Sequence, residues 1–374
     1  MRLSTLPLRL FLLVLFGGMA LTASAQVRKY SNEFLNIGIG ARSLAMSGAT
    51  SAVIGDVTAA YWNPAGLAGV SSDVQIGAMH SEYFAGIAKY DYAAVAIPVK
   101  GGDRYLGISM IRFGVDDIPN TLFLFEPDGS INYDNITSFS VADYAFLLSY
   151  AQKMKVEGLR IGGSAKIIYR NAGSFAQAWG FGLDLGMQYA RGNWRFGLTG
   201  RDITTTFNAW SFSFTEEEKE VLQNTGNVIP ESSYEITAPR IVLGVGYDWD
   251  ISDKFGLLAE VDVDATTDGR RNTLVSADPI SLDPHMGLEV DYSDFIFLRA
   301  GIGNIQQATS DEDLEKRYLV QPNLGLGIRF KGVQLDYAYT NLGNRDQLLY
   351  SNIFSLMLDI NKRSEAKSTQ TDAK

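Results

Sequence analysis

Between Ala178 and Ala190 the side chains alternate strictly. Trp179, Phe181, Leu183, Leu185, Met187 and Tyr189 fall on one face, and Gly180, Gly182, Asp184, Gly186 and Gln188 on the other. A period of two is the geometry of an extended strand, whose successive side chains point to opposite sides. The apolar face begins with Trp and ends with Tyr, as expected of a strand that meets lipid and carries an aromatic residue at each interface. Residues 158–170 repeat the pattern, with Leu159, Ile161, Ala165, Ile167 and Tyr169 opposite Arg160, Ser164, Lys166 and Arg170. A cationic side chain facing lipid near the midplane costs about 2–4 kcal/mol, so these three basic groups are expected to point inward.

Fourteen such segments are expected, near residues 73–83, 88–100, 104–114, 140–153, 158–170, 176–190, 193–203, 239–250, 255–265, 283–292, 294–303, 320–330, 332–341 and 348–360. The connections alternate. Tight ones, such as Arg191-Gly192, Ser293 and Lys331, leave even-numbered segments. The long ones, at residues 115–139, 204–238, 266–282 and 304–319, leave odd-numbered segments. An even number of strands with short turns on one side and long loops on the other is the pattern of an outer-membrane barrel, and a soluble sandwich has no reason to sort its loops this way. After the first residues no run of 18 apolar residues occurs, so a membrane location requires strands closed on themselves. The expected fold is all-β: a transmembrane antiparallel barrel of about 14 strands, over residues 73–360.

Arg2 and Arg9 precede an apolar run from Leu10 to Leu21, and Ala23-Ser24-Ala25 has the small-x-small pattern of a signal-peptidase site. Residues 1–25 therefore read as an export signal, with the mature chain starting near Gln26. Losing Arg2 and Arg9 would take the net charge from -10 to about -12, and an acidic balance argues against nucleic acid as a partner. The chain has no cysteine, which excludes disulfides and thiolate metal sites. Its two histidines, His80 and His285, lie far apart on different expected strands. No enzyme chemistry, cofactor or metal is expected. The 37 glycines, 18 tyrosines and 20 phenylalanines suit one closed β unit better than two soluble domains. Residues 361–374 are polar and read as a tail.

Residues 26–72 do not alternate. They are rich in Gly and Ala, which permit close backbone packing, so the segment suits the inside of a barrel better than lipid. Ala41-Arg42-Ser43-Leu44-Ala45-Met46-Ser47-Gly48-Ala49, followed by Asp56-Val57-Thr58-Ala59-Ala60-Tyr61-Trp62-Asn63-Pro64-Ala65-Gly66-Leu67, resembles the N-terminal hatch of FadL-like outer-membrane barrels. The opening Ser31-Asn32-Glu33-Phe34-Leu35-Asn36-Ile37-Gly38-Ile39-Gly40 looks most like the PorV and PorQ family of the type IX secretion system. Leu335-Asp336-Tyr337-Ala338-Tyr339-Thr340, with Leu342-Gly343 after it, is similar to that family's penultimate-strand region. The resemblance implies a 14-stranded barrel plugged by its N-terminal segment. It also implies a role in exporting or attaching proteins that carry a C-terminal sorting domain, by docking to an SprA-type translocon or a surface sortase. A FadL-like channel for hydrophobic small molecules and a purely structural barrel remain the alternatives.

Within the hatch, Pro64 removes a donor and pushes Asn63 toward extended geometry, and Ala65 and Gly66 follow, with Gly66 free to take a left-handed turn. A fixed turn is the simpler reading of Asn63 to Gly66, and a moving hatch the functional one. Phe207, Trp210, Phe212 and Phe214, next to Glu216-Glu217-Glu218-Lys219-Glu220, read either as a partner-contacting loop or as a strand extension beside a solvated acidic run. Arg160, Lys166, Arg170, Asp184, Glu260 and Asp262 are expected to face the lumen, as are Arg195, Glu289, Arg299, Arg329 and Asp336. With both signs present, they suit holding a plug better than selecting a solute of one charge. The i, i+2 spacing of Glu260 and Asp262 is that of one strand face and needs no catalytic explanation.

Overall fold

Hydrocarbon offers no partner to a backbone N–H or C=O, so strands can cross it only in a closed ring. That ring is present. A computed structural model describes residues 31–361, apart from 100–101, 127, 230–231, 310–315 and 342–349. The expected signal and most of the tail fall outside the described residues, as does Leu342-Gly343.

Among the described residues, sixteen strands run in chain order: β1 (Val74–Tyr83), β2 (Ala88–Val99), β3 (Arg104–Asn120), β4 (Thr137–Lys153), β5 (Leu159–Ala172), β6 (Ala176–Arg191), β7 (Trp194–Arg201), β8 (Thr206–Phe212), β9 (Ser232–Thr237), β10 (Arg240–Ser252), β11 (Phe255–Thr266), β12 (Ser281–Tyr292), β13 (Ile296–Thr309), β14 (Lys316–Phe330), β15 (Val333–Asn341) and β16 (Tyr350–Ile360). All pairings are antiparallel between neighbours, and β1 pairs with β16 to close the circle. The lower half of β6 pairs with β7 and its upper half with β8, so β7 and β8 form one stave interrupted at residues 202–205. Likewise β9 and β10 form one stave, broken at Ala238-Pro239, where the proline has no donor to give the ladder. The barrel thus has 14 staves.

The alternation read in the sequence holds. On β6, Leu185 is 55% exposed on the outside while Asp184 is 4% exposed within. Trp179 meets Tyr169 near the long-loop end, with ring centroids 4.7 Å apart. Near the tight turns, Tyr247 packs on both Trp194 and Trp249, and Phe255 on Tyr292. From Trp179 to Tyr189 the strand rises about 33 Å, which at a tilt near 40° matches an apolar band about 25 Å tall.

Two expected loops are shorter than their sequence suggests. β3 and β4 run on to Asn120 and back from Thr137, and the stretch 204–238 contains β8, β9 and a capped helix, α3 (Glu216–Asn224). The extension of β3 and β4 lies beyond the apolar band, where water satisfies polar side chains on either face and the alternation is lost, whereas β8 starts within the band beside β6.

Residues 31–72 lie inside the ring as two short helices, α1 (Ala41–Ala45) and α2 (Ala59–Trp62), with 3-10 turns at Glu33–Asn36 and Pro64–Gly69. Many of these residues, including Ile39, Ala41, Met46 and Leu67, are fully buried. Wall glycines explain how the backbone fits. A Cβ on Gly197 would lie 2.5 Å from the carbonyl carbon of Ser51, and one on Gly301 would lie 2.4 Å from that of Met46. Gly301→Val is therefore expected to cost about 1–3 kcal/mol through overpacking. It should lower the temperature at which the barrel unfolds in detergent, whereas lipid-facing Leu185→Val should barely move it. The loop arrangement makes a second prediction: an epitope placed at Gly226 should be labelled on intact cells, and one at Gly192 only after the outer membrane is permeabilised.

Candidate functional site: the luminal segment and its anchors

The N-terminal segment is polar along its backbone, and a barrel interior must supply partners for it. Two carboxylates on β11 do so. The amides of Thr50 and Ser51 donate to Asp262 Oδ2 at 3.2 and 3.0 Å, and that of Ala52 donates to Glu260 Oε1 at 2.6 Å. Both side chains are wholly buried. Gln188 Nε2 donates to the carbonyls of Ser51 and Ile54, Ser164 Oγ to that of Ala60, and Ser355 Oγ accepts from the amide of Ala41.

Asn63 sits at the centre of this packing. Its backbone is extended at φ -154°, as Pro64 requires, and its side-chain oxygen caps the turn by accepting from the amide of Ala65 at 3.2 Å. Its Nδ2 donates to the carbonyls of Ser51 and Met187, at 2.8 and 3.1 Å. Gly66 does not adopt the left-handed geometry expected of it. A glycine is needed there because a Cβ would lie 2.4 Å from the carbonyl oxygen of Ile54.

A further tether is electrostatic. Arg42 on α1 forks onto Glu289 of β12 through Nε and Nη2, both at 2.8 Å. Glu289 also receives Arg299 of β13 at 2.5 Å, and Arg299 reaches Asp336 of β15 at 2.6 Å. Gln334 continues the chain from Asp336 to Arg329. A second cluster fills the break between β7 and β8: Lys166 Nζ lies 2.9 Å from Asp184 and 2.5 Å from Asp202. Arg170 pairs with Asp143 and Glu235, and Arg160 lies against Gly69 of the segment. The expected lumen charges Arg160, Lys166, Arg170, Asp184, Glu260 and Asp262 all point inward. The structure puts Lys166 with Asp184, Arg170 in a second cluster and Glu260 with Asp262 in a third, and leaves Arg160 apart from them against Gly69.

The sequence alone does not single out Arg42, Asp202 and Asp264 as partners, because the pairing depends on strand register. The aromatic quartet is placed differently from the loop reading. Phe207, Trp210 and Phe212 lie on β8, and Phe214 follows it. Phe207 faces outward, 49% exposed and paired across from Phe181. Trp210 is half-buried, with the Arg170 guanidinium 5.0 Å from its ring. Phe212 and Phe214 join Phe175 and Phe139 in a cluster of rings, Phe212 stacked on Phe214 and Phe139 meeting Phe175 edge-on.

Between the segment and the wall, on the long-loop side, lies a cavity of about 580 Å³. Tyr61, Trp62 and Tyr83 contribute aromatic surface, and Arg201, Asp264 and His285 contribute charge. Arg201 stacks over Tyr61 at 4.5 Å, while His285 bridges Asp264 to the carbonyl of Ser47. Among the described residues no group of three or more metal-ligating side chains converges.

A closed antiparallel ring with an apolar exterior, a charged interior and an occupied lumen is the architecture of an outer-membrane β-barrel. Comparison with solved structures agrees on the fold. The chain is similar to the toluene transporter TbuX of Ralstonia pickettii, with TM-score 0.53 and 12% identity over 87% of this chain and 99% of that one. It is similar to the monoaromatic hydrocarbon channel CymD, with TM-score 0.54 and 12% identity over 90% and 100%. The toluene transporter TodX of P. putida gives TM-score 0.51 and 14% identity over 87% and 99%. No protein-family profile matches the chain, and no curated protein matches it.

Removing one member of the buried ionic chain leaves its partners uncompensated, at about 3–5 kcal/mol. Arg42→Ala is expected to lower the denaturant midpoint and expose residues 31–72 to protease. The Arg42→Ala/Glu289→Gln double variant should lose less than the sum of the single losses. Unchanged stability in Arg42→Ala would rule this tether out.

Proposed function

We propose that this barrel admits small hydrophobic molecules across the outer membrane and performs no catalysis on them. The observation that carries this reading is the fold shared with toluene and monoaromatic hydrocarbon channels, together with the cavity beside Tyr61 and Trp62. A volume near 580 Å³ falls within the roughly 300–1,000 Å³ of small-molecule sites. Its charged rim sets a condition on passage: the aromatic surface must become accessible when the luminal segment shifts. Deleting the gene should slow uptake of a labelled monoaromatic hydrocarbon at limiting external concentration, and restoring the wild-type chain should recover it. Equal uptake in the deletion strain would overturn the reading.

A second reading rests on a different observation. Residues 31–70 resemble the PorV and PorQ family, and the segment is tied to the wall by Arg42, Glu260 and Asp262. A barrel whose interior is held shut acts through its exterior. On this reading the protein is a docking component of type IX secretion that binds an SprA-type translocon, a sortase or sorting-domain cargo. Deletion would then stop secretion of sorting-domain proteins and leave hydrocarbon uptake unchanged. Normal secretion would overturn it.

A further inference from the structure

The outward apolar band is not equally tall around the barrel. On β6 it occupies six alternate positions from Trp179 to Tyr189, but on β1 only Val74, Ile76 and Ala78, and on β3 only Leu106, Ile108 and Met110. Six positions span about 25 Å of membrane at the usual tilt, and three span about 10 Å. Above the short runs, His80, Glu82, Lys89, Asp91, Arg112 and Asp116 face outward, alternating with buried neighbours such as Ser81, Tyr90 and Tyr92. They form a network on the exterior. Asp91 is 2.7 Å from His80 and 3.4 Å from Arg112, Lys89 is 3.3 Å from Asp116, and Glu82 is 3.9 Å from His80.

Lipid tails are poor surroundings for such a patch, since a single cationic side chain at the midplane costs about 2–4 kcal/mol. Three acids against two bases and a histidine do not suit an anionic headgroup, which needs net positive charge. They suit a surface with the same mixture of signs, and the chain itself carries one.

We propose that this patch is the contact of a two-fold homodimer in the plane of the membrane. The hydrogen-bonded row through His80 shows the geometry. It begins at Leu257, close to the tight turn before β11, and passes Val290, Leu298, Leu326, Tyr337 and Phe354 to reach His80. It continues through Asp91 and Arg112 to end high on β6 at Trp179. The row therefore climbs, by about 3 Å per strand for a spacing near 4.8 Å and a tilt near 40°. Arg112, two strands along, stands about 6 Å above His80, and Glu82, one pleat farther up β1, about 5 Å above it. A two-fold axis along the membrane normal preserves depth, so Glu82 of each copy meets Arg112 of the other, twice per dimer. Beside the patch, an exterior groove of about 500 Å³ that includes Ala78, Leu335 and Phe354 offers room for apolar side chains of the second copy.

The absence of cysteine makes the test clean. Glu82→Cys and Arg112→Cys are placed in two differently tagged full-length copies and co-expressed in the outer membrane. Oxidation should join the two tags at least tenfold more than a Leu185→Cys pair on β6. Glu82→Arg should reduce the dimer fraction of the otherwise wild-type chain in lipid nanodiscs, and Glu82→Arg/Arg112→Glu should recover it. Three results overturn the proposal: no disulfide between tags although both thiols react with a soluble reagent, a monomer mass in nanodiscs, or a crosslinked product lacking the second tag.

Discussion

An unpaired backbone N–H or C=O in hydrocarbon costs several kcal/mol, and the structure follows from avoiding that cost. The strands must close into a ring. A ring of 14 staves is too wide for its own inward side chains to fill, so its interior needs either water or another piece of chain. Residues 31–72 take that space, and the same accounting applies to them. Their amides and carbonyls find Glu260, Asp262, Gln188, Ser164 and Ser355 on the wall.

The charged interior follows from the apolar exterior. Once one face of each strand is committed to lipid, every ionisable residue within the band belongs to the other face, where it must be paired. Arg42, Glu289, Arg299 and Asp336 alternate in sign across three strands and the segment, so none faces the low-dielectric interior alone. Lys166 between Asp184 and Asp202 does the same where β7 gives way to β8. An arrangement of this kind fixes the position of the segment more than it selects a solute, which is why a passage through the lumen requires the segment to shift. The outward charges on β1 to β3 break the rule, and they do so together in one place.

Much of this was legible in the sequence wherever lipid lies on one side and not the other. The run from Trp179 to Tyr189 shows its two faces without any structure, and all fourteen expected segments correspond to staves. Beyond the band, both faces of a strand meet water and the signal fades, so the extensions of β3 and β4 read as loop. For Trp210 and Phe212 the sequence leaves both a partner-contacting loop and a strand extension open, because nothing local reveals that β8 prolongs β7 and turns them inward. Gly197 and Gly301 were counted as composition, since their purpose appears only when Ser51 and Met46 are brought against them. The partnership of Arg42 with Glu289 joins residues 247 apart in sequence and depends on a register that no local pattern contains.

The fold requires one face of every strand to meet lipid while the N-terminal segment sits within. Tryptophan fluorescence in bilayers of brominated lipid tests this directly, using variants that retain one of the five tryptophans at a time. Trp179 and Trp194, on the exterior, should be quenched strongly, and Trp62, in the lumen against Ile39 and Arg201, should keep its emission. Quenching of Trp62 as strong as that of Trp179 would contradict the enclosed segment, and emission from Trp179 unaffected by the lipid would contradict the barrel's orientation of its faces.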